Sequence, residues 1–121
     1  MLRPGGRLAL SDVVADRPRL PPELDGALAT IACIGDALSH EGYVDLFAAA
    51  GLAFGSIETH NAEAEALAER VHDRLRASRM LGLDSPTDTA TGVDDALELV
   101  AAARRAIAEG GLGYSIFIAT R

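Results

Sequence analysis

The chain has 121 residues, a formal net charge of -7, 49% hydrophobic and 24% charged residues, and one cysteine. That is the length of one domain spanning residues 1–121, apolar enough to exclude disorder and without the second thiol an internal disulfide needs. Acidity and eleven scattered basic residues, all arginine, predict no nucleic-acid partner, and the lack of a leader or a run of about 20 apolar residues predicts no membrane partner and, by default, a cytoplasmic location.

The segment Leu2-Arg3-Pro4-Gly5-Gly6 reads as a tight turn. Pro4 fixes its own φ and pushes Arg3 from the helical region, while the glycines can take the positive φ a reversal needs. A strand is predicted from Arg7 to Val14, with Leu8, Leu10, Asp12 and Val14 on one side and Arg7, Ala9, Ser11 and Val13 on the other. Both sides are largely apolar, which predicts a strand covered on two faces, as in an α/β sheet. Asp12, near its carboxyl end, has two readings. Ligands collect beyond the carboxyl ends of strands in open α/β sheets, and a carboxylate there can equally cap the following loop.

Pro21-Pro22 followed by Glu23 suits a helix start, with Leu24, Leu28 and Ile31 on one face and Gly35 as its end. A second helix is expected after Ser39 as N-cap, with Tyr43, Leu46, Phe47 and Ala50 at helical spacing and Gly51 as its stop. Ala53 to His60 alternates as a strand. A long helix from about Ala62 to Leu81 follows Asn61 as cap, with Ala64, Leu67, Ala68, Val71, Leu75 and Ser78 as its apolar stripe. Its acids Glu63, Glu65 and Glu69 precede Arg74, Arg76 and Arg79, the order that complements the helix dipole. Gly82 to Thr91 reads as a polar loop. Thr91 with Asp94 resembles a capping box before a helix carrying Val93, Leu97, Val100 and Ile107 as far as Gly110-Gly111. Gly113 to Thr120 is predicted as the last strand, with Ser115, Phe117 and Ala119 on one face.

Three landmarks in this order resemble class I S-adenosylmethionine methyltransferases. They are the turn and strand Leu2 to Asp12, the phrase Phe47-Ala48-Ala49-Ala50-Gly51-Leu52 leading into a strand, and the closing strand Tyr114 to Arg121. Together they span nearly the whole chain. The resemblance implies the C-terminal half of that Rossmann-like α/β fold: a three-stranded mixed sheet whose last strand is antiparallel and lies in the middle, with about four helices. Ala32-Cys33-Ile34-Gly35-Asp36-Ala37-Leu38, followed by Glu41-Gly42-Tyr43, is similar to the cysteine-bearing lid of arsenite methyltransferases, where the matching cysteine is a thiolate ligand of arsenic. One thiol does not hold a soft ion that wants two or three sulfurs, and Cys33 can also be read as a small buried hydrophobe.

The candidate substrate-binding residues are therefore Asp12, Cys33, Asp36, His40 and Tyr43. No catalytic residue is assigned. His72 reads as solvent-facing, and His60 as a residue before the Asn61 cap. Neither HExxH nor a histidine pair at i, i+4 occurs, so no metal site is expected. Class I methyltransferases need a glycine-rich turn after a strand to hold their cofactor, and neither Gly5-Gly6 nor Gly110-Gly111 is placed that way. S-adenosylmethionine is thus implied by the resemblance only, and the chain alone is expected to bind none.

Three functions follow as expectations. The chain is the substrate-recognition part of a methyltransferase complemented by a cofactor-binding half, or a non-enzymatic module binding a small apolar ligand for sequestration or resistance, or an assembly module. An opening strand without its usual neighbour should be covered, and a homodimer is the simplest cover for a lone chain.

Overall fold

The computed structural model describes residues 2–26, 33–82 and 92–121. Strands β1 (Arg7–Ala15), β2 (Ala53–Thr59) and β3 (Leu112–Thr120) form one sheet in the order β1-β3-β2. The last strand lies between the other two, as expected. Both ladders are antiparallel, so the sheet is not mixed: β3 separates the two strands that share a direction, and no parallel ladder forms. The one parallel contact is an isolated bridge between Val14 and Leu38.

The glycine turn fixes the register at one end of the sheet. Gly5 adopts φ 77°, the Gly6 amide donates to the Arg3 carbonyl at 2.8 Å, and the Gly5 amide donates to the Arg121 carbonyl at 2.9 Å. Arg121 returns a bond to Gly6 at 3.0 Å, so the turn before β1 is clipped to the end of β3. β2 is irregular between Phe54 and Ser56. Gly55 sits there because a Cβ would lie 3.0 Å from the Ile118 carbonyl oxygen.

Three α-helices are present among the described residues, not about four. They are α1 (His40–Ala49), α2 (Asn61–Met80) and α3 (Val93–Ala108). Around Pro22 the described residues make a short 3-10 turn, Pro22–Asp25, after another at Arg17–Arg19. Leu28 and Ile31 of the expected first helix lie outside the described residues. The α1 boundaries match their chemistry: the Ser39 hydroxyl accepts from the Gly42 amide at 3.1 Å, and Gly51 takes φ 74° beyond the last turn. Two other caps differ from the sequence reading. His60, not Asn61, is the N-cap of α2, because the Asn61 side chain is used on β3 instead. Gly92 is the N-cap of α3; Thr91 lies outside the described residues.

Helices cover the two faces of the sheet unequally. On one face α1 packs Tyr43 and Phe47 against Val14, Phe117 and Ala119, with Leu8, Leu10 and Ile57 at the margin. Phe117 is fully buried and meets the Tyr43 ring at 4.6 Å and the Phe47 ring at 6.0 Å. On the other face Ala102 and Ala106 of α3 pack with Leu24, Ile34, Ala37, Ala15 and Leu112. That second core reaches only the carboxyl end of β1. Arg7, Ala9 and Ser11 on the same face are exposed, so the expectation of full cover on both sides fails for most of the strand. No helix among the described residues is long and apolar enough to cross a membrane.

Candidate functional site

The end of the sheet where β1 finishes and β3 begins carries most of the chemistry. Alternation puts Asp12 and Val14 of β1 on the α1 side, and puts Ser115 of β3 on that side too, in line with Phe117. Ser39 starts α1 above them. A cleft of about 370 Å³ results, lined by the end of β1 (Val14, Ala15, Asp16), the start of α1 (Ser39, His40, Glu41), Asn61, and the approach to β3.

His40 is the cleft's one imidazole. Its Nε2 lies 3.1 Å from the Ser115 hydroxyl, and its ring centroid lies 5.9 Å from Phe117. Ser115 is only 1% exposed, so the hydroxyl spends its hydrogen-bonding capacity on the imidazole and not on bulk water. Asn61 closes another wall. Its Oδ1 accepts the Tyr114 amide at 3.1 Å, and the adjacent Gly113 must be glycine because any Cβ would overlap the Asn61 amide.

The five candidate residues do not converge on one cavity. His40 lines the cleft just described. Asp12, Cys33 and Asp36 instead line a smaller cavity of about 250 Å³ with Ala37. Cys33 is exposed and holds φ 61°, which overturns its reading as a buried hydrophobe. Tyr43 is buried between these places. Its hydroxyl donates to the Val13 carbonyl at 3.0 Å, and burial, followed by the hydrogen bond and negative charge of Asp12, pushes its pKa up to about 12. Asp12 also accepts the Val13 amide at 2.7 Å, so this carboxylate both caps the strand end locally and borders a cavity.

The remaining histidines are tied to carboxylates. His60 stands 3.6 Å from both Glu58 and Glu63, and its amide donates to the Tyr114 carbonyl. His72 is half-buried toward α3, not solvent-facing as expected, because the α2 face that packs on α3 includes it. A third, mostly apolar cavity of about 560 Å³ lies between α2, α3 and β3. Leu67 and Val71, exposed at 56% and 38%, face it, which accounts for apolar residues of the α2 stripe being unburied. The described residues hold no group of three metal-ligating side chains.

Sequence reasoning missed Ser115 and Asn61. Ser115 was legible as a polar residue on the same strand face as Phe117 and Ala119. Asn61 reads from its local sequence only as a helix cap.

No protein-family model matches the chain, and no curated protein matches it. Among solved structures it is similar to the cyclopropane synthase MmaA2 from Mycobacterium tuberculosis, with a TM-score of 0.73 at 13% sequence identity. The match covers 99% of this chain and 46% of that one, so the chain spans about half the length of its structural neighbour. At that identity the likeness shows the fold alone.

Proposed function

We propose that this chain is the substrate-side part of a class I S-adenosylmethionine-dependent methyltransferase, and that a cofactor-binding half packs against β1. The observation that carries this reading is the outer edge of β1. One edge of the strand is paired along its whole length with β3. On the other, the described residues supply only the Leu38 carbonyl to the Ala15 amide at 3.0 Å and the bridge at Val14. An open strand edge beside apolar side chains is an aggregation hazard that folded proteins cover. The exposed Ala9 and Ser11, beside half-exposed Ile116 and Ile118, extend the uncovered area onto the adjoining face. A half that adds a strand to β1 and a helix over that face would complete both.

The chain's own residues do not suit S-adenosylmethionine. Among the described residues no glycine-rich turn leads from a strand into a helix; Gly5-Gly6 leads into β1, and Gly110-Gly111 joins α3 to β3. No cofactor step is therefore derived for this chain. Its contribution is acceptor binding beside the strand ends, in the cleft lined by His40 or the smaller cavity lined by Asp12 and Asp36. The arsenite-type lid is not carried into this reading, because Cys33 is the chain's only cysteine and trivalent arsenic needs more than one thiolate.

Calorimetric titration with S-adenosylmethionine and S-adenosylhomocysteine tests the proposal, on the chain alone and mixed with the cofactor-binding half of a class I methyltransferase. The expected outcome is binding only by the mixture. Binding by the chain alone, or failure of the halves to associate, overturns it.

A further inference from the structure

The mostly apolar cavity between α2, α3 and β3 lies on the sheet face away from α1. At about 560 Å³ it falls within the ~300–1,000 Å³ of sites that hold small molecules. Its floor is the cross-strand pair Val13 and Tyr114, and its walls are Leu67 and Val71 of α2 against Val100 and Ile107 of α3. Leu67 and Val71 remain well exposed, so packing among the described residues does not satisfy them. Two charged side chains line the cavity, both from α2. Glu63 and Arg70 are seven residues apart in sequence, nearly two helical turns, so both stand on the cavity's side of the helix, about 10 Å apart along it. Their surroundings differ. Glu63 lies 3.6 Å from His60, whereas the Arg70 guanidinium makes no hydrogen bond or ion pair among the described residues; the arginine ion pairs there are Arg17–Asp25, Arg79–Asp94 and Arg105–Glu23.

We infer that this cavity binds a small apolar molecule carrying one carboxylate, with its apolar body between α2 and α3 and its carboxylate on Arg70. The aliphatic walls fix the body, since burying it there removes apolar surface of ligand and protein together from water. The arginine fixes the head. A guanidinium fork matches a carboxylate in a two-bond pair, and the Arg70 donors are not committed within the described fold. Glu63 fixes the direction, because a carboxylate at its end of the cavity would meet like charge. The single charge follows from the balance. One guanidinium offsets one negative charge, and the chain's net charge of -7 opposes a second, which disfavours a phosphate monoester at about -2. The site lies on the opposite sheet face from the His40 cleft and requires no cofactor, so it goes beyond the methyltransferase reading.

The test is a nuclear magnetic resonance titration of the full chain with three probes of one shape: phenylbutyrate, phenylbutanol and phenylbutylamine. Phenylbutyrate is expected to move the methyl signals of Leu67, Val71, Val100 and Ile107 and the Arg70 side-chain signals, binding several-fold more tightly than either the alcohol or the amine. Arg70→Gln alters an exposed residue, and is expected to bring the carboxylate down to the level of the alcohol with the folded spectrum retained. Ala64→Leu adds bulk to the α2 wall and should weaken all three probes. No binding of the carboxylate, equal binding of carboxylate and alcohol, tighter binding of the amine, or an unchanged response in Arg70→Gln overturns the inference. So does movement of the same methyl signals with protein concentration in the absence of probe, which would assign the face to a second copy. The calorimetric titration with S-adenosylmethionine reads a different site, so failure of either reading is distinct from failure of the other.

Discussion

The Tyr43 hydroxyl donates to the Val13 carbonyl across 3.0 Å, pinning the second turn of α1 to the carboxyl end of β1. Removing the hydroxyl leaves a part-buried carbonyl short of a partner, so Tyr43→Phe is expected to cost about 1 kcal/mol in denaturant unfolding. The same variant carries a pH signature. A phenol whose folded pKa is raised keeps its proton after the unfolded chain has lost it, so stability is unaffected by this group at neutral pH and falls as pH rises from 10.0 toward about 12. The fall should be present in the parent chain and absent in Tyr43→Phe, as measured by unfolding midpoints across that range.

Phe117 is where the α1 side of the core converges. It is 0% exposed and touches the rings of His40, Tyr43 and Phe47. Phe117→Ala is expected to cost about 3–5 kcal/mol, and to free the His40 ring in the same step. Phe117→Leu keeps most of the volume and should cost much less while leaving the His40–Ser115 contact detectable in the histidine ring signals.

Gly113 and Asn61 form a matched pair. The asparagine carbonyl reaches the Tyr114 amide only because residue 113 has no Cβ. Gly113→Ala should therefore destabilise the chain, and so should Asn61→Ala, which leaves the amide without its acceptor. In the double variant the clash and the lost bond are the same event, so the combined cost is expected to fall well short of the sum in a thermodynamic cycle. Additive costs would mean that the two residues act independently.

Local chemistry made much of the fold legible. Ser39 and Gly51 bracket α1 because their preferences depend on nearby backbone only, and strand alternation gave the faces of β3 correctly. The central position of β3 came from a resemblance between separated segments, since no local property of Leu112 to Thr120 records its neighbours. What escaped was tertiary. Asn61 has a helix-cap composition, but β3 claims its side chain. Cys33 reads as a small apolar residue, but the chain turns it outward at positive φ. The site divided for the same reason: Asp12, Cys33 and Asp36 share one cavity and His40 another, with buried Tyr43 between, and sequence distance alone does not distinguish these positions.

The central claim is that the outer edge of β1 is a docking edge for a cofactor-binding half. Amide hydrogen exchange across Arg7 to Val14 measures this directly, first on the chain alone at several concentrations and then with the half added. The account predicts that the β1 amides not bonded to β3 exchange fast in the isolated chain and become protected on addition of the half. Protection already present in the isolated chain and rising with its concentration would assign the edge to a second copy, and, like exchange left unchanged by the added half, would contradict the account.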